Sequence, residues 1–102
     1  MYAVMFHSTR ALAHDDVYDA WSQRMESAVT GVDGYLSHVG YRDPNTLKGV
    51  TISYFESLEA IRQWREFDAH IEAQILGRDS FYTEYTVEVA HIERRYSWTR
   101  PE

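Results

Sequence analysis

Trp64 and His70 are side chains of the kind that perform chemistry on aromatic compounds, and they stand six residues apart. On a helix this spacing is nearly two turns, so the two side chains project from related faces. A tryptophan ring stacks on planar molecules, and a histidine with an ordinary pKa of about 6.5 can remove a phenolic proton as a general base. The pair therefore indicates a site that would hold an aromatic compound and take a proton from it.

Both residues also have an ordinary structural explanation. Trp64 falls on the apolar stripe of a predicted helix and could simply anchor that helix in the core. His70 follows Glu66 by four residues, a spacing at which a surface Glu and His pair on a helix. Glu66 and His70 could also provide two ligands of a metal ion. Since the sequence contains no HxH or HExxH motif to complete such a set, we expect no metal site.

The apolar pattern predicts the elements that position this pair. Residues 50–55 alternate like a strand, Ser57 then takes the N-cap position of a helix, and Gly77 suits its C-cap. The stripe of this helix repeats at three- and four-residue steps and comprises Ile61, Trp64, Phe67, Ile71 and Ile75. Trp64 and His70 therefore belong to a helix that directly follows a strand.

The first half of the chain contains a similar alternation. Residues 2–8 and 35–42 have the period of strands, with Tyr35 and Tyr41 predicted on the same face of the second. Between them an acidic start favours a helix. The predicted stripe of this helix comprises Val17, Trp21, Met25, Ala28 and Val32. A last strand is predicted over residues 86–98, where the shift in apolar phase indicates a bulge or a move to another sheet.

The predicted order of elements is β-α-β-β-α-β, which is the ferredoxin-like α+β arrangement of an antiparallel four-stranded sheet with both helices on one face. We expect one domain over residues 1–102. The strands carry apolar side chains on both faces, whereas two helices cover only one. A second copy of the chain would cover the other, and the homodimer would be a dimeric α+β barrel. Tyr96 and Trp98 suit an arm that reaches across to the partner.

Composition excludes several classes of partner. The 102 residues carry a net charge of −6 without a basic stripe, which disfavours nucleic acids and anionic membranes. No apolar stretch reaches the length of a membrane span and the first residues lack the pattern of a signal peptide, so we expect a soluble cytoplasmic protein. Cysteine is absent, which removes thiolate chemistry. The 15% of aromatic residues favour an apolar ligand cavity or a buried subunit interface.

Five segments carry a resemblance to a known family. They are YAVMFHSTR, YDAWSQRM, GYLSHVGYRD, VTISYFESLEAIRQWREFDAH and AQILGRDSFYTEYTVEVAHIERRYSW. Taken in order and at their spacing, they resemble the antibiotic biosynthesis monooxygenase domain over essentially the full length of the chain. The resemblance implies a ferredoxin-like fold that pairs into a dimeric α+β barrel, within a superfamily that also contains heme-degrading monooxygenases.

The resemblance also implies chemistry. Some members of the family oxygenate polycyclic aromatic substrates without metal or flavin, while others degrade heme or have no known reaction. The heme-degrading members carry an Asn on the first strand, and a Trp and a His on the second helix. Trp64 matches their Trp, but His7 stands near the Asn position and Gln74 stands where their His would lie. The resemblance therefore favours a protein without a cofactor and disfavours heme.

Two hypotheses follow. In the first, the protein is a cofactor-independent monooxygenase for a small aromatic or quinone-like compound, with His70 as the base and Trp64 as the pocket wall. A hydroxyanthrone-like substrate would lose a proton to His70, and the resulting carbanion would pass an electron directly to oxygen. The predicted substrate-contacting residues are His7, His38, Tyr54, Phe67, Arg78 and Tyr82. In the second, the protein is a non-catalytic or heme-binding barrel that shares only the fold.

Overall fold

The computed structural model describes residues 1–66, 75 and 80–102. Within this part of the chain, the elements follow one another in the predicted β-α-β-β-α-β order. Their bounds are β1 Tyr2–Arg10, α1 Asp16–Val29, β2 Tyr35–Arg42, β3 Lys48–Phe55, α2 Leu58–Glu66 and β4 Tyr82–His91. The predicted α+β, ferredoxin-like fold is confirmed.

The strands form an antiparallel sheet in the order β2-β3-β1-β4, so β1 pairs with β3 on one side and with β4 on the other. Alternate residues of β1 point to opposite faces of the sheet. Tyr2 and Val4 pack against a buried cluster that includes Val29 of α1 and Ile61 of α2, so both helices lie on this face, which we call the helix face. The opposite, outer face carries Ala3, Met5, His7 and Thr9 of β1.

Polar side chains satisfy the first backbone amides of both helices. The carboxylate of Asp15 accepts hydrogen bonds from the backbone N–H groups of Val17 at 3.0 Å and Tyr18 at 3.2 Å. Ser57 Oγ accepts a hydrogen bond from the backbone N–H of Ala60 at 3.1 Å, which confirms the predicted N-cap of α2. Each helix therefore begins where a side chain replaces the hydrogen-bond partner that its first turn lacks.

The largest buried cluster is small and lies at one end of the helix face. Phe55 of β3 is fully buried, and Val29, Ala60 and Ile61 pack around it. Half-buried residues, including Trp64 and Tyr35, complete this core cluster. The rest of the helix face, along β1 toward its end, is not filled by these side chains.

The predicted stripe of α1 is confirmed in part, because Trp21, Met25, Ala28 and Val32 are half-buried. Val17 is 58% exposed, whereas Tyr18, Ser22 and Met25 are half-buried and Val29 is buried. These four residues follow one another at steps of four, three and four, which is the period of one helix face. Val17 lies beside that stripe, so its prediction as a core residue is wrong.

An irregularity at the start of β2 changes the direction of one aromatic side chain. The pairing of β2 with β3 shifts register between Tyr35 and Ser37. Beyond the shift, Tyr41 belongs to the outer face, but Tyr35 pairs with Phe55 and shares its face. The prediction that Tyr35 and Tyr41 lie on one face is wrong, because simple alternation does not survive a shift of one residue.

The last strand is earlier and shorter than predicted, because it covers Tyr82–His91 rather than residues 86–98. Its irregularity lies opposite the end of β1, where the register shifts between Thr9 and Arg10. After β4, Ile92 continues the pairing with a single hydrogen bond to the carbonyl of Met1 at 3.0 Å. Further residues belong to no helix or strand, and Tyr96 and Trp98 are 85% and 78% exposed.

Candidate functional site

Short side chains line the middle of the helix face. Antiparallel pairing places Ser53 of β3 beside His38 of β2, and Thr51 beside Gly40, in two neighbouring rows. Thr51 and Ser53 are half-buried rather than buried. Among the described residues of β2 and β3, the middle of the helix face therefore lacks the large buried side chains that fill the core cluster.

Helix α1 crosses above these rows. Toward its start, Tyr18 meets Arg10 of β1, whose guanidinium carbon lies 3.8 Å from the ring centroid. Toward its end, Glu26 approaches His38 of β2. Because the described residues of β2 and β3 between these two contacts have short side chains, we infer a cleft between α1 and the sheet, and we call it the central cleft. Its floor is formed by Gly40, Thr51 and Ser53.

At one end of the central cleft, three polar side chains neighbour one another in the order Tyr35, His38 and Glu26. Tyr35 Oη lies 2.5 Å from His38 Nδ1, and His38 Nε2 lies 3.9 Å from Glu26 Oε1. Burial raises the pKa of the Tyr35 phenol, and the negative charge of Glu26 raises that pKa further. Tyr35 is therefore a neutral phenol beside the imidazole, able to donate or accept the hydrogen bond that they share. The phenol and the imidazole therefore share a hydrogen bond that can hold or move a proton, and the carboxylate lies close enough to stabilise a positive charge on the imidazole.

At the other end lies an aromatic cluster that comprises Phe6, Tyr18, Phe81, Tyr82 and Tyr85. The ring centroid of Tyr82 lies 5.2 Å from that of Phe6 and 5.8 Å from that of Tyr18. Tyr82 Oη also donates a hydrogen bond of 3.4 Å to Tyr18 Oη. Burial raises the pKa of Tyr82 well above the usual range of a phenol, and the contact with Tyr18 adds to the increase.

Two guanidinium groups adjoin the aromatic cluster. Arg10 covers the ring of Tyr18, and Arg42 donates from Nη1 to the carbonyl oxygens of Ser8 at 3.0 Å and Leu47 at 2.7 Å. The positive charges of Arg42 and Arg10 act to lower the pKa of Tyr82, but less strongly than burial raises it. This end of the cleft thus combines aromatic rings with positive charge, which favours planar molecules that carry electron-rich oxygens.

The length of β2 sets the distance between the two ends. His38 and Arg42 are four residues apart on the same face of the strand, and a rise of about 3.3 Å per residue separates their positions by roughly 13 Å. The imidazole end and the guanidinium end therefore lie at separate positions along one face of the sheet.

Three predicted site residues lie on elements that border the cleft. His38 faces α1, Tyr82 belongs to the aromatic cluster, and Trp64 of α2 is half-buried against the core cluster. Their roles toward a substrate stay predictions. The other predicted residues on or after the second helix, Phe67, His70 and Arg78, lie outside the described residues.

His7 and Tyr54, by contrast, lie on the outer face. Alternation from Tyr2 and Val4, which touch the core cluster, directs His7 away from the helices, and Tyr54 is the cross-strand partner of Ala3 on that same outer face. His7 Nε2 lies 2.9 Å from Glu88 Oε1. The prediction that His7 and Tyr54 share one cleft with His38 is wrong, because the sheet separates them.

Sequence reasoning missed Tyr35, Glu26, Tyr18 and Arg42. Tyr35 was hidden by the register shift, which has no clear signature in the residues. The sequence did contain a signal for Tyr18. Counting helical steps of three and four residues backward from Val29 leads to Tyr18, whereas counting forward from Val17 does not.

Metal ligation by Glu66 was one alternative from the sequence. Glu66 Oε2 instead lies 3.2 Å from Arg62 Nη1, one turn earlier on α2. Among the residues that the structure describes, no group of three or more His, Asp or Glu side chains could hold a metal ion. The helices seen in that same part of the chain are too short or too polar to cross a membrane.

Comparison with known proteins places this fold and sequence in a family. Residues 1–75 match the model of the family described as antibiotic biosynthesis monooxygenase. The uncharacterized protein YqjZ of Bacillus subtilis (strain 168) is 34% identical over 94 residues, which are 92% of this chain and 81% of YqjZ.

Two further similarities are more distant. Jasmonate monooxygenase ABM of Pyricularia oryzae is 22% identical over 93 residues, which are 90% of this chain but 43% of that protein. SnoaB of Streptomyces nogalater, described as a cofactor-independent oxygenase, superimposes with a TM-score of 0.73 over 92% of this chain and 93% of its own, at 10% identity. The similarity to SnoaB is therefore one of fold.

Proposed function

Because the chain belongs to the antibiotic biosynthesis monooxygenase family, we propose that it is a monooxygenase that acts on a small planar aromatic or quinone-like compound without a metal or flavin. The observations that carry this proposal are the contacts at two ends of the helix face, a polar end at His38 and an aromatic, positively charged end at Tyr82 and Arg42. The description of SnoaB as a cofactor-independent oxygenase supports the absence of a cofactor.

The substrate lies along the central cleft. Its rings contact the aromatic cluster, where stacked and edge-on aromatic pairs contribute about 0.5–1.5 kcal/mol each beyond the burial of their area. An electron-rich oxygen of the substrate points to the guanidinium groups of Arg10 and Arg42. Trp64, on α2, extends the wall of the cleft from the core cluster.

The reaction begins with loss of a proton from the substrate. The sequence predicts His70 as the base, with Phe67 and Arg78 as neighbours. These residues lie outside the described part of the chain, and His70 stays an alternative to His38 as the base. Removal of the proton leaves a carbanion, or the equivalent phenolate, that gives an electron to dioxygen. Recombination and loss of water then convert a methylene group into a carbonyl group, so that one oxygen atom enters the product and the other leaves as water.

A homodimer completes the proposed architecture. The outer face presents Met5, Val39, Val50 and Ile52, which are half-buried in the single chain. Apolar side chains in the middle of a sheet face suit a second sheet packed on them, and a two-fold dimer presents the same face twice.

Oxygen uptake tests the proposed function. Purified protein in buffer treated with a chelator is mixed with 1,8-dihydroxyanthrone, and uptake is followed with an oxygen electrode while the product is identified by mass spectrometry in ¹⁸O₂. We expect oxygen uptake at least 100-fold faster than in buffer alone. One molecule of O₂ should be consumed per molecule of substrate, and the product should contain one ¹⁸O atom. Uptake equal to the buffer rate would contradict the proposal.

A further inference from the structure

We propose that His38, held between Tyr35 and Glu26, accepts the substrate's proton at Nε2. This inference rests on the proposed function for the substrate and names a base within the described part of the central cleft. It assigns Tyr35 and Glu26 as positioning residues, one for each side of the imidazole ring.

The two ring nitrogens of His38 are in different situations. Nδ1 lies 2.5 Å from Tyr35 Oη, which is a short hydrogen bond. Nε2 lies 3.9 Å from Glu26 Oε1, which exceeds hydrogen-bond distance but lies within reach of an ion pair. Nδ1 is therefore occupied and orients the ring, whereas Nε2 keeps room for a substrate atom.

The hydrogen bond between His38 and Tyr35 is compatible with the required tautomer, because the Tyr35 hydroxyl can accept as well as donate. When Nδ1–H donates to Tyr35 Oη, the lone pair of the neutral imidazole lies on Nε2. Because burial favours the neutral phenol of Tyr35, this partner carries no charge and does not compete for the arriving proton. The tyrosine hydroxyl thus takes the place that a carboxylate or carbonyl often takes beside a catalytic histidine.

The step that we assign to His38 is a proton transfer that balances without an oxidant. An acidic C–H or O–H bond of the substrate breaks, an N–H bond forms at Nε2, and the electron pair stays on the substrate as an enolate or phenolate. The imidazolium that results faces the Glu26 carboxylate. Glu26 is largely exposed, at 62% of its side chain, so its stabilisation of the imidazolium is modest.

The other histidines of the described chain are placed less well for this step. His7 lies on the outer face beside Glu88, and His14 is exposed in the link before α1. His91 lies at the end of β4, where its ring is tilted by 38° against that of Tyr2 with centroids 4.9 Å apart. His38 is 27% exposed and lies between α1 and the floor residue Ser53.

Hydrogen–deuterium exchange without oxygen tests this step separately from the oxidation. 1,8-Dihydroxyanthrone is incubated anaerobically in D₂O with the protein, and incorporation of deuterium at its methylene carbon is followed by NMR. We expect the wild type to exceed the buffer rate at least 100-fold, and His38→Gln to lose at least 100-fold relative to the wild type. Glu26→Gln should lose about fivefold, and the matched control His14→Gln should retain the wild-type rate.

A second variant separates loss of the base from loss of structure. In His38→Ala, added imidazole should restore exchange in a concentration-dependent manner, which a purely structural defect would not permit. Retention of the wild-type rate by His38→Gln, lack of rescue by imidazole, or a wild-type rate equal to that of the buffer would each overturn the assignment. If the wild type exchanges the methylene proton through His38 but takes up no oxygen, the base assignment holds and the proposed monooxygenase function fails. The exchange and uptake experiments therefore distinguish failure of the base assignment from failure of the proposed function.

Discussion

Arg42 of β2 reaches over β3 and binds Ser8 of β1, with Nη2 donating a hydrogen bond of 2.8 Å to Ser8 Oγ and Nη1 one of 3.0 Å to the Ser8 carbonyl oxygen. The residue that lies beneath the guanidinium is Gly49 of β3. A Cβ atom at this position would stand 3.0 Å from Arg42 Cζ and would collide with the Tyr41 carbonyl oxygen. The absence of a side chain at Gly49 therefore permits a contact that ties three strands together beside the aromatic cluster.

Gly49→Ala should destabilise the protein by about 1–3 kcal/mol, since the new methyl group meets backbone and a hydrogen-bonded guanidinium that cannot both move away. Denaturant unfolding followed by circular dichroism measures the change. Gly31→Ala is the matched control, because a Cβ atom there would have only the Ala28 carbonyl oxygen as a near neighbour, at 3.5 Å, and should alter stability by less than about 1 kcal/mol. Equal effects of the two substitutions would contradict this account of Gly49.

Asp15 should stabilise the start of α1. Its carboxylate accepts the N–H groups of Val17 and Tyr18, so Asp15→Ala leaves two amides without that partner and should lower the free energy of unfolding by about 1 kcal/mol. Asp15→Ser retains a capping oxygen and should recover most of the loss. The comparison uses urea midpoints at one pH. A serine variant no more stable than the alanine variant would show that the cap contributes nothing.

Local signals in the sequence predicted the order of elements and the N-cap of α2, because each depends on a few neighbouring residues. Ser57 before α2 is an example, and its hydroxyl caps the helix as expected. The faces of the strands were harder to predict. A register shift at Tyr35 reversed its direction, and nothing local distinguishes a shifted strand from a regular one.

The composition of the candidate site could be predicted only in part, since it joins residues from distant elements. Glu26 and His38 come from a helix and a strand twelve residues apart, and neither is unusual in its own segment. In the sequence, Arg42 looks like an ordinary polar residue at the end of a strand. Only the pairing of β2, β3 and β1 brings it over Gly49 and beside Ser8. Tertiary pairing, rather than any motif, creates this site.

Tyr82 should make the stability of the fold depend on alkaline pH. Burial raises the pKa of its phenol in the folded state above the value near 10 of an unfolded chain. The folded state then holds a proton that the unfolded state releases, so stability is fully present below pH 10 and falls as the pH rises above it, by about 1.4 kcal/mol per pH unit.

Urea unfolding at pH 8 and pH 11 measures this dependence. Tyr82→Phe should lose less stability than the wild type between the two values, because phenylalanine has no proton to release. Tyr96→Phe serves as the control, since Tyr96 is 85% exposed, and it should behave like the wild type. An unchanged pH dependence in Tyr82→Phe would be evidence against a buried, protonated Tyr82.

The outer face should carry the dimer contact. Ile52→Asp places a charge in the middle of that face, between Met5 and Val39 of the neighbouring strands, where a packed second sheet could not hydrate it. We expect sedimentation velocity to show about twice the 12.0 kDa chain mass for the wild type and the monomer mass for this variant at micromolar concentration. Val17→Asp, on the exposed side of α1, is the control and should sediment like the wild type. A monomeric wild type would remove the proposed dimer.

Substitution of Trp64 tests whether this core residue also forms part of the wall of the central cleft. It packs half-buried against the core cluster, so Trp64→Leu should lower the free energy of unfolding by about 1–3 kcal/mol through lost apolar contact alone. If its ring also stacks on the substrate, the KM for 1,8-dihydroxyanthrone should rise by about 2- to 12-fold, which corresponds to the roughly 0.5–1.5 kcal/mol of an aromatic pair. Leu58→Ala, at a position 55% exposed on the same helix, should change neither quantity. A destabilised Trp64→Leu protein with an unchanged KM would assign Trp64 to the core alone.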